Sequence, residues 1–483
     1  MSLIELPFMV TITVCCGMLA MLALAGQASE AGRELIRVNP RQRQQVFEGW
    51  GTSLCWWANA VGGWSDQATR ARLMELVFDP EEGLGLNIVR YNIGGGENPR
   101  YNFMPSWRAV PGFKAERDEP YQWGADPGQR WVLLESIKRG VTIAEAFSNS
   151  PPWWMTVSGS VTGNGKRRPA ENNLREDMYD AFADYLTEVV RHYRDCYGVA
   201  FDTLAPLNEP TAAWWTFGNN QEGCHFTADK QDLILMKTAE QLARKGLATR
   251  LSAPDEYSVD ETIETWQSYE PATRQAVSQI NTHSYAGDGR AALMHLARDA
   301  NRRLYVSEYG NGINAEFGSA LELARVISLD LNELQCDGWV YWQAVGDLDE
   351  PDDWHAIHVS QSRGAEVVVK KQYWALLHFT RYVRPGSVIL SVSAEDVVAA
   401  LDPGGRLVLV ATNREAADRS VAFDLSAFPR LAEWAEWTST TEEENHKSQG
   451  QVPLRDGILA ADLAPRSVNT FLMNVAQRSN GRH

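Results

Sequence analysis

From about residue 46 onward, short apolar runs alternate with longer segments whose apolar residues recur at helical spacing. Eight runs read as strands: Val46–Leu54, Leu86–Ile93, Val141–Ser148, Thr203–Asn208, Thr249–Pro254, Ile280–Tyr285, Arg303–Glu308 and Gly338–Gln343. Most are continuously apolar, as strands buried on both faces are. Between them lie helix-like stretches, including Asp177–Tyr197, Ala228–Lys245, Arg290–Asn301, Phe317–Gln335 and Gln372–Val383. In the first of these, Ala181, Phe182, Tyr185, Leu186, Val189, Val190 and Tyr193 fall on one face, with Asp, Glu and Arg between. Eight strand–helix units predict an α/β chain that closes as a (β/α)8 TIM barrel rather than an open doubly wound sheet.

Beyond Pro385 the pattern changes. Val388–Val392, Val397–Leu401, Leu407–Thr412, Ser420–Phe423 and Asn469–Met473 are short strand candidates separated by Gly, Pro, Asp and Asn turns. They predict a small C-terminal antiparallel β-sandwich. The polar stretch Thr438–Gly450 reads as an exposed loop. The expected division is a barrel over 46–384, a sandwich over 385–476 and a tail over 477–483.

The first 28 residues stand apart. No charged residue occurs from Leu6 to Ala25, and small residues follow, with Ala23-Leu24-Ala25 and Gly26-Gln27-Ala28 as candidate cleavage sites. A signal peptide is the main reading, although Glu5 and the lack of Lys or Arg make its start atypical. An uncleaved anchor is the alternative, because the stretch is nearly long enough to span a bilayer. Either reading takes the rest of the chain out of the cytosol. Of six cysteines, Cys15 and Cys16 lie in this segment, leaving Cys55, Cys196, Cys224 and Cys336. Four thiols in an exported chain allow two bridges or none, and they lack the paired spacing of a zinc site.

The net charge of −17 argues against nucleic acid or an anionic membrane as partner. It also disfavours polyanionic substrates unless a local basic surface overrides it. Of 18 tryptophans, 16 fall between Trp50 and Trp374. Many are core, but exposed indoles offer flat platforms to sugars.

Two glutamates close strand-like runs: Glu209 in Leu207-Asn208-Glu209-Pro210 and Glu308 in Ser307-Glu308-Tyr309-Gly310. In a barrel, both emerge on the face where such folds do chemistry. A carboxylate pair converging on one cleft is the apparatus of glycoside hydrolysis. Pro210 biases Glu209 towards an extended backbone. Asn208 offers an amide to a sugar hydroxyl, and Arg90 and Tyr285 are strand-end candidates to keep Glu308 ionised. His283 borders the same cleft, where orienting a carboxylate is a better role than direct catalysis. Trp342 ends the eighth strand and is expected to floor the site. In the pairs Trp56-Trp57 and Trp153-Trp154, one ring each is expected to face the cleft, with Trp57 and Trp154 taken as substrate-binding. Gly94-Gly95-Gly96 lacks any nucleotide-binding pattern, and no metal-ligand motif appears, so the chemistry is expected to need neither cofactor nor metal.

With these residues in place, the chain resembles the retaining β-glycosidases of clan A, and among them glycoside hydrolase family 30. The resemblance rests on Phe47-Glu48-Gly49-Trp50-Gly51-Thr52-Ser53, Arg90-Tyr91-Asn92-Ile93-Gly94-Gly95, Ser150-Pro151-Pro152-Trp153-Trp154-Met155, Asn208-Glu209-Pro210, Ser307-Glu308-Tyr309 and Trp342. It implies Glu209 as acid/base and Glu308 as nucleophile. It also implies that residues 29–45 contribute a strand or two to the β-sandwich. Gly51-Thr52-Ser53-Leu54-Cys55-Trp56-Trp57-Ala58 looks most like the endo-β-1,6-galactanase branch, which cuts galactan side chains of arabinogalactan. The expectation is a secreted retaining hydrolase of polysaccharide or oligosaccharide, with no nucleic-acid role and no obligate protein partner. Other specificities of the family (β-1,6-glucan, xylan, lipid-linked glucosides) and a non-catalytic carbohydrate-binding protein are the alternatives.

Overall fold

The computed structural model describes residues 32–312, 316–347, 354–360 and 366–475, so the apolar leader 1–28 and the tail 477–483 lie outside the described residues. Eight parallel strands close in chain order into a barrel: Gly49–Ser53, Ile88–Asn92, Ile143–Phe147, Thr203–Ala205, Arg250–Glu256, Val277–His283, Arg303–Tyr309 and Gly338–Tyr341. The (β/α)8 expectation holds. Strand ends shift by a few residues, and the fourth strand stops at Ala205, leaving Asn208 and Glu209 on the turn beyond it.

Side chains alternate across each strand, so every second residue enters the barrel. Ile88, Ile143, Tyr305 and Val340 form an apolar plug low in the interior. Two residues further along, the same faces present Arg90 and Glu145. The opposite faces, such as Val89, Ala144 and Val306, join the large core under the helices. Plug below, charge above: this order places the polar chemistry at the C-terminal end of the strands.

The helix Tyr179–Tyr197 buries the apolar stripe read from its sequence and ends at Gly198, whose φ of 70° suits the left-handed cap. Helices Gln67–Phe78 and Pro127–Lys138 fill strand–helix units whose helices had no range read from the sequence. Their apolar residues are spread around the axis, and the signals are at their starts: Asp66 caps the Ala68 and Thr69 amides, and Pro127 opens the other. After the eighth strand, Val345–Asp347, Ile357–Val359 and Val367–Val369 make a small separate sheet.

The β-sandwich is a continuous closed ladder of nine strands among the described residues. Strand Glu34–Val46 enters it from before the barrel, antiparallel to Val388–Val392 and parallel to Arg419–Asp424. Thr438–Gly450 is a loop only over 441–446. Its two ends belong to strands Trp434–Thr440 and Lys447–Arg455, which pair antiparallel. The second of these is almost wholly exposed, so no apolar period marks it, and backbone pairing alone defines it.

Helix Lys371–Thr380 joins the two units. His378 is fully buried there, its ring bridging Thr470 Oγ1 at 2.8 Å and Thr440 Oγ1 at 2.9 Å. Burial, reinforced by His446, pushes its pKa well below the ordinary imidazole value. A neutral ring in the fold and a titrating ring in the unfolded chain mean stability that is present above about pH 6.5 and lost as pH falls below it. Thermal melts from pH 7.5 to 5 should therefore show a falling Tm. His378→Gln, which keeps a donor and an acceptor, should flatten that fall; an unchanged slope would remove His378 as its source.

Candidate active site

Arg90 lies in the second barrel strand with its side chain fully inside the barrel. Its guanidinium donates from Nε to Glu145 at 2.9 Å, from Nη2 to Asp255 at 2.6 Å and from Nη1 to Glu308 at 3.1 Å. Its flat face rests on Phe147 at 4.1 Å. Burial opposes its charge, yet the three carboxylates outweigh that cost and raise its pKa. Glu145 is further held by Thr203, Ser252 and Asn281, so each charge in this layer has hydrogen bonds of its own.

Two of these carboxylates reach the site through irregularities in the strands. The ladder shifts register between Pro254 and Glu256, and Asp255 takes φ 66° there. A second shift, between Val306 and Tyr309, accompanies Glu308. Bulges beside active sites re-aim side chains in this way. Burial disfavours the Asp255 charge, but Arg90, then His283 and Ser307, bring its pKa down to about 2.

Glu209 departs from the expectation of an extended backbone. It sits in the left-handed region with φ 48°, although Pro210 follows it. Its amide donates to Asp255 O at 2.8 Å, and its carbonyl accepts Trp215 Nε1 at 2.9 Å. These two bonds hold a conformation that costs a non-glycine residue about 1–2 kcal/mol.

His283 closes the arrangement. Its Nδ1 lies 3.1 Å from Glu209 Oε1 and 3.6 Å from Glu308 Oε1, and its Nε2 lies 3.4 Å from Asp255 Oδ1 without hydrogen-bond alignment. Burial alone would discharge the ring; the charge of Glu308, with Asp255 and Glu209, outweighs it and pushes the pKa up to about 10. One oxygen each of Glu209 and Glu308 and a ring nitrogen of His283 lie within 4.8 Å of one another. That spacing could hold a cation, but the protonated ring is already one. Tyr285 donates to Glu308 Oε1 at 3.0 Å. Burial, then Glu209 and Asp255, push the Glu308 carboxyl up to about 7 against the pull of His283 and Arg90.

The pair opens into a cleft of about 640 Å³ whose wall includes Trp56, Asn208, Trp214, Tyr257, Trp342 and Trp354. Trp342 and Trp56 meet edge to face at 5.2 Å. Asn208 Oδ1 and Trp56 Nε1 are buried in this wall with no hydrogen-bond partner among the described residues. Glu222 also lines it, its two oxygens accepting the Gly95 amide and the Asn92 side chain, with burial pushing its pKa up to about 8.

The family model for O-glycosyl hydrolase family 30 matches residues 33–285, a segment that contains Glu209 and stops short of Glu308. The chain belongs to glycoside hydrolase family 30. Over 475 residues this family 30 chain is 30% identical to an endo-beta-1,6-galactanase of Hypocrea rufa, covering 93% of this chain and 96% of that one. It is 25% identical over 571 residues to an exo-beta-1,6-galactobiohydrolase of Bifidobacterium longum, covering 87% of this chain and 37% of that one. The catalytic domain of a family 30 xylanase C from Talaromyces cellulolyticus shares the fold, with a TM-score of 0.72 at 20% identity over 91% of this chain and 100% of that chain.

Within this family 30 cleft, Arg90, Asn208, Glu209, His283, Tyr285, Glu308 and Trp342 come together. Trp57 and Trp154 do not. Trp57 is wholly buried in helix Trp57–Gly62, its Nε1 donating to Ser53 O at 2.9 Å, and Trp56 takes the cleft position instead. Trp154 is half-buried against Lys114, whose carbonyl accepts its Nε1 at 3.1 Å, away from the cleft wall. Asp255, Glu145, Glu222 and Trp214 were missed. Asp255 lies just past the apolar run Thr249–Pro254, and the register shift that turns it inward leaves no sign in that run. Cys55, Cys224 and Cys336 are buried free thiols and Cys196 is an exposed one, so the described residues hold no bridge.

Replacing Arg90 tests how far the site depends on one cation. Arg90→Gln leaves three buried carboxylates without their partner, and denaturant melts should show a loss of about 3–5 kcal/mol. A loss under about 1 kcal/mol would mean that the hydrogen bonds to Glu145 suffice without it.

Proposed function

We propose that the protein is a retaining β-glycoside hydrolase acting on β-1,6-galactan chains, with Glu308 as nucleophile and Glu209 as acid/base. The supporting observation is the closeness of the two carboxylates, within 4.8 Å at their nearest oxygens. Retaining enzymes hold the pair ~5–5.5 Å apart, whereas inverting ones need ~6.5–9.5 Å to admit a water between.

Burial pushes the Glu308 carboxyl up to about 7, so it is ionised for attack above that pH. Glu308 accepts from both Arg90 and Tyr285, donors that favour its charged form. Glu308 attacks the anomeric carbon as the bond to the leaving oxygen breaks, and Glu209 gives its proton to that oxygen. Water then attacks the glycosyl–Glu308 ester, Glu209 takes the water proton, and Glu308 leaves as carboxylate. His283 acts as a positioning residue whose cation faces both carboxylates. The unpartnered Asn208 Oδ1 and Trp56 Nε1 suit the hydroxyls of a bound sugar.

The galactan specificity rests on the relative named for endo-beta-1,6-galactanase activity, with 96% of that protein covered. Product analysis on de-arabinosylated arabinogalactan, β-1,6-glucan and xylan tests it. Short β-1,6-galacto-oligosaccharides from the first alone are expected; turnover of another polymer only would keep the glutamate pair and discard the galactan. Glu308→Gln should lose turnover by at least about 10⁴-fold with the fold intact. Full activity in that variant would sink the assignment. The pH profile of kcat/KM should fall on the acid side with a midpoint near 7, where Glu308 gains a proton and can no longer attack. Export through cleavage of the segment 1–28 belongs to the same reading, and mass analysis of the mature N-terminus checks it.

A further inference from the structure

Among the described residues, four carboxyls line the cleft. Glu209 and Glu308 carry the proposed chemistry, and Glu322 is paired with Arg325. Glu222 takes no part in the double displacement and makes no ion pair among the described residues. Its turn holds it still. The next residue, Gly223, lies so close to Trp215 that a Cβ would fall 2.1 Å from the indole, and its amide donates to Val161 O at 2.9 Å. From there the buried Glu222 side chain reaches the end of the second barrel strand. Its Oε1 accepts the Gly95 amide at 2.9 Å, and its Oε2 accepts Asn92 Nδ2 at 3.2 Å. Burial, with Glu97 and Asp126, pushes the carboxyl up to about 8 against the pull of those two donors, so it holds a proton at neutrality.

Each oxygen already accepts one N–H, so the hydrogen of the acid has no partner among the described residues. Asn92 offers it Nδ2 rather than its own unpartnered Oδ1. The open side of the group is the cleft, whose wall it forms with Gln221 and Trp215. Buried donors find partners, and a sugar hydroxyl both accepts and donates. We propose that Glu222 is a binding residue of this cleft that donates a hydrogen bond to a hydroxyl oxygen of the sugar chain, an inference that rests on the cleft being a glycan site. The pinned turn sets that donor before the sugar arrives, so binding has little left to order. Ionisation would remove the donor and add a negative charge near the nucleophile. Burial, then the Glu308 and Glu222 charges, raise the Cys55 thiol, so the two carboxyls share one neighbourhood. The other titratable groups facing Glu222 are Glu97, Asp126 and Tyr185, while Arg108 of the wall stands over the Trp56 ring at 4.8 Å. Among the described residues no cation pairs with the ionised form, and sugar binding weakens as pH rises through about 8.

The test measures binding of β-1,6-galacto-oligosaccharides by calorimetry on the Glu308→Gln protein, where the nucleophile no longer titrates. Position 222 is native, Glu222→Gln or Glu222→Ala. At about pH 7, Glu222→Ala should bind about tenfold more weakly. Glu222→Gln keeps an N–H donor at the same place and should stay within about twofold of native. From about pH 7 to about pH 9 the native side chain should lose about tenfold in affinity, and Glu222→Gln should not. On the active protein the Glu222→Ala loss should appear in KM rather than in kcat. Equal affinity with all three side chains, or the same alkaline loss in Glu222→Gln, overturns the proposal. A Glu222→Ala protein with a lower Tm and an unchanged affinity also overturns it, because a purely structural strut would behave that way. Should Glu222→Ala fail to fold, the pH comparison of native and Glu222→Gln decides alone. If β-1,6-gluco- or xylo-oligosaccharides bind in place of the galactan and show the same dependence on Glu222, its role stands and the galactan reading falls.

Discussion

One buried guanidinium organises this molecule. Arg90 is the point where three carboxylates from three other strands converge, and its charge offsets their mutual repulsion. The second strand supplies the cation, the third Glu145, the fifth Asp255 and the seventh Glu308, so the electrostatics tie together strands far apart around the ring. A buried ion pair is often no better than an apolar substitute for stability. Here the charge has work to do, because the nucleophile assigned to Glu308 must ionise in a site that burial makes hostile to anions. Arg90 and the His283 cation supply that field from fixed positions, and it requires no rearrangement when substrate arrives.

The barrel was legible because its strands are buried on both faces, and such strands appear as plain apolar runs. Positions at the ends of those runs then identified Glu209, Glu308, His283, Tyr285, Arg90 and Trp342 as neighbours. Parity failed where the backbone is irregular. Asp255 falls on the wrong face of an ideal fifth strand and reaches Arg90 only through a register shift, which leaves no mark in a hydrophobic pattern. The Glu209 conformation was misread for a related reason. A local proline preference was outweighed by two hydrogen bonds, to Asp255 and from Trp215, that exist only after the chain has folded.

Adjacent tryptophans mark a second limit. Nothing in Trp56-Trp57 says which ring turns outward, because helix phase at Trp57 decides it, and that phase depends on Ser53 accepting the Trp57 indole. In Trp153-Trp154, the loop around Lys114 covers the ring that was expected to be free. The outer strand Lys447–Arg455 was lost to the sequence for the opposite reason. With almost no buried side chain, it has nothing to alternate, and its partners across the ladder specify it entirely.

The strand Glu34–Val46 has its partners at Val388–Val392 and Arg419–Asp424, so the β-sandwich draws on both sides of the barrel sequence. On the ribosome, this first of the described strands waits for nearly the whole chain before its edges are covered. The barrel must assemble while that edge is open, and closing the ladder is a late, non-local step of the slow kind. The last strands therefore act as a completion signal: until they dock, an unpaired edge marks the chain as unfinished, and a product truncated before Arg419 carries that edge permanently.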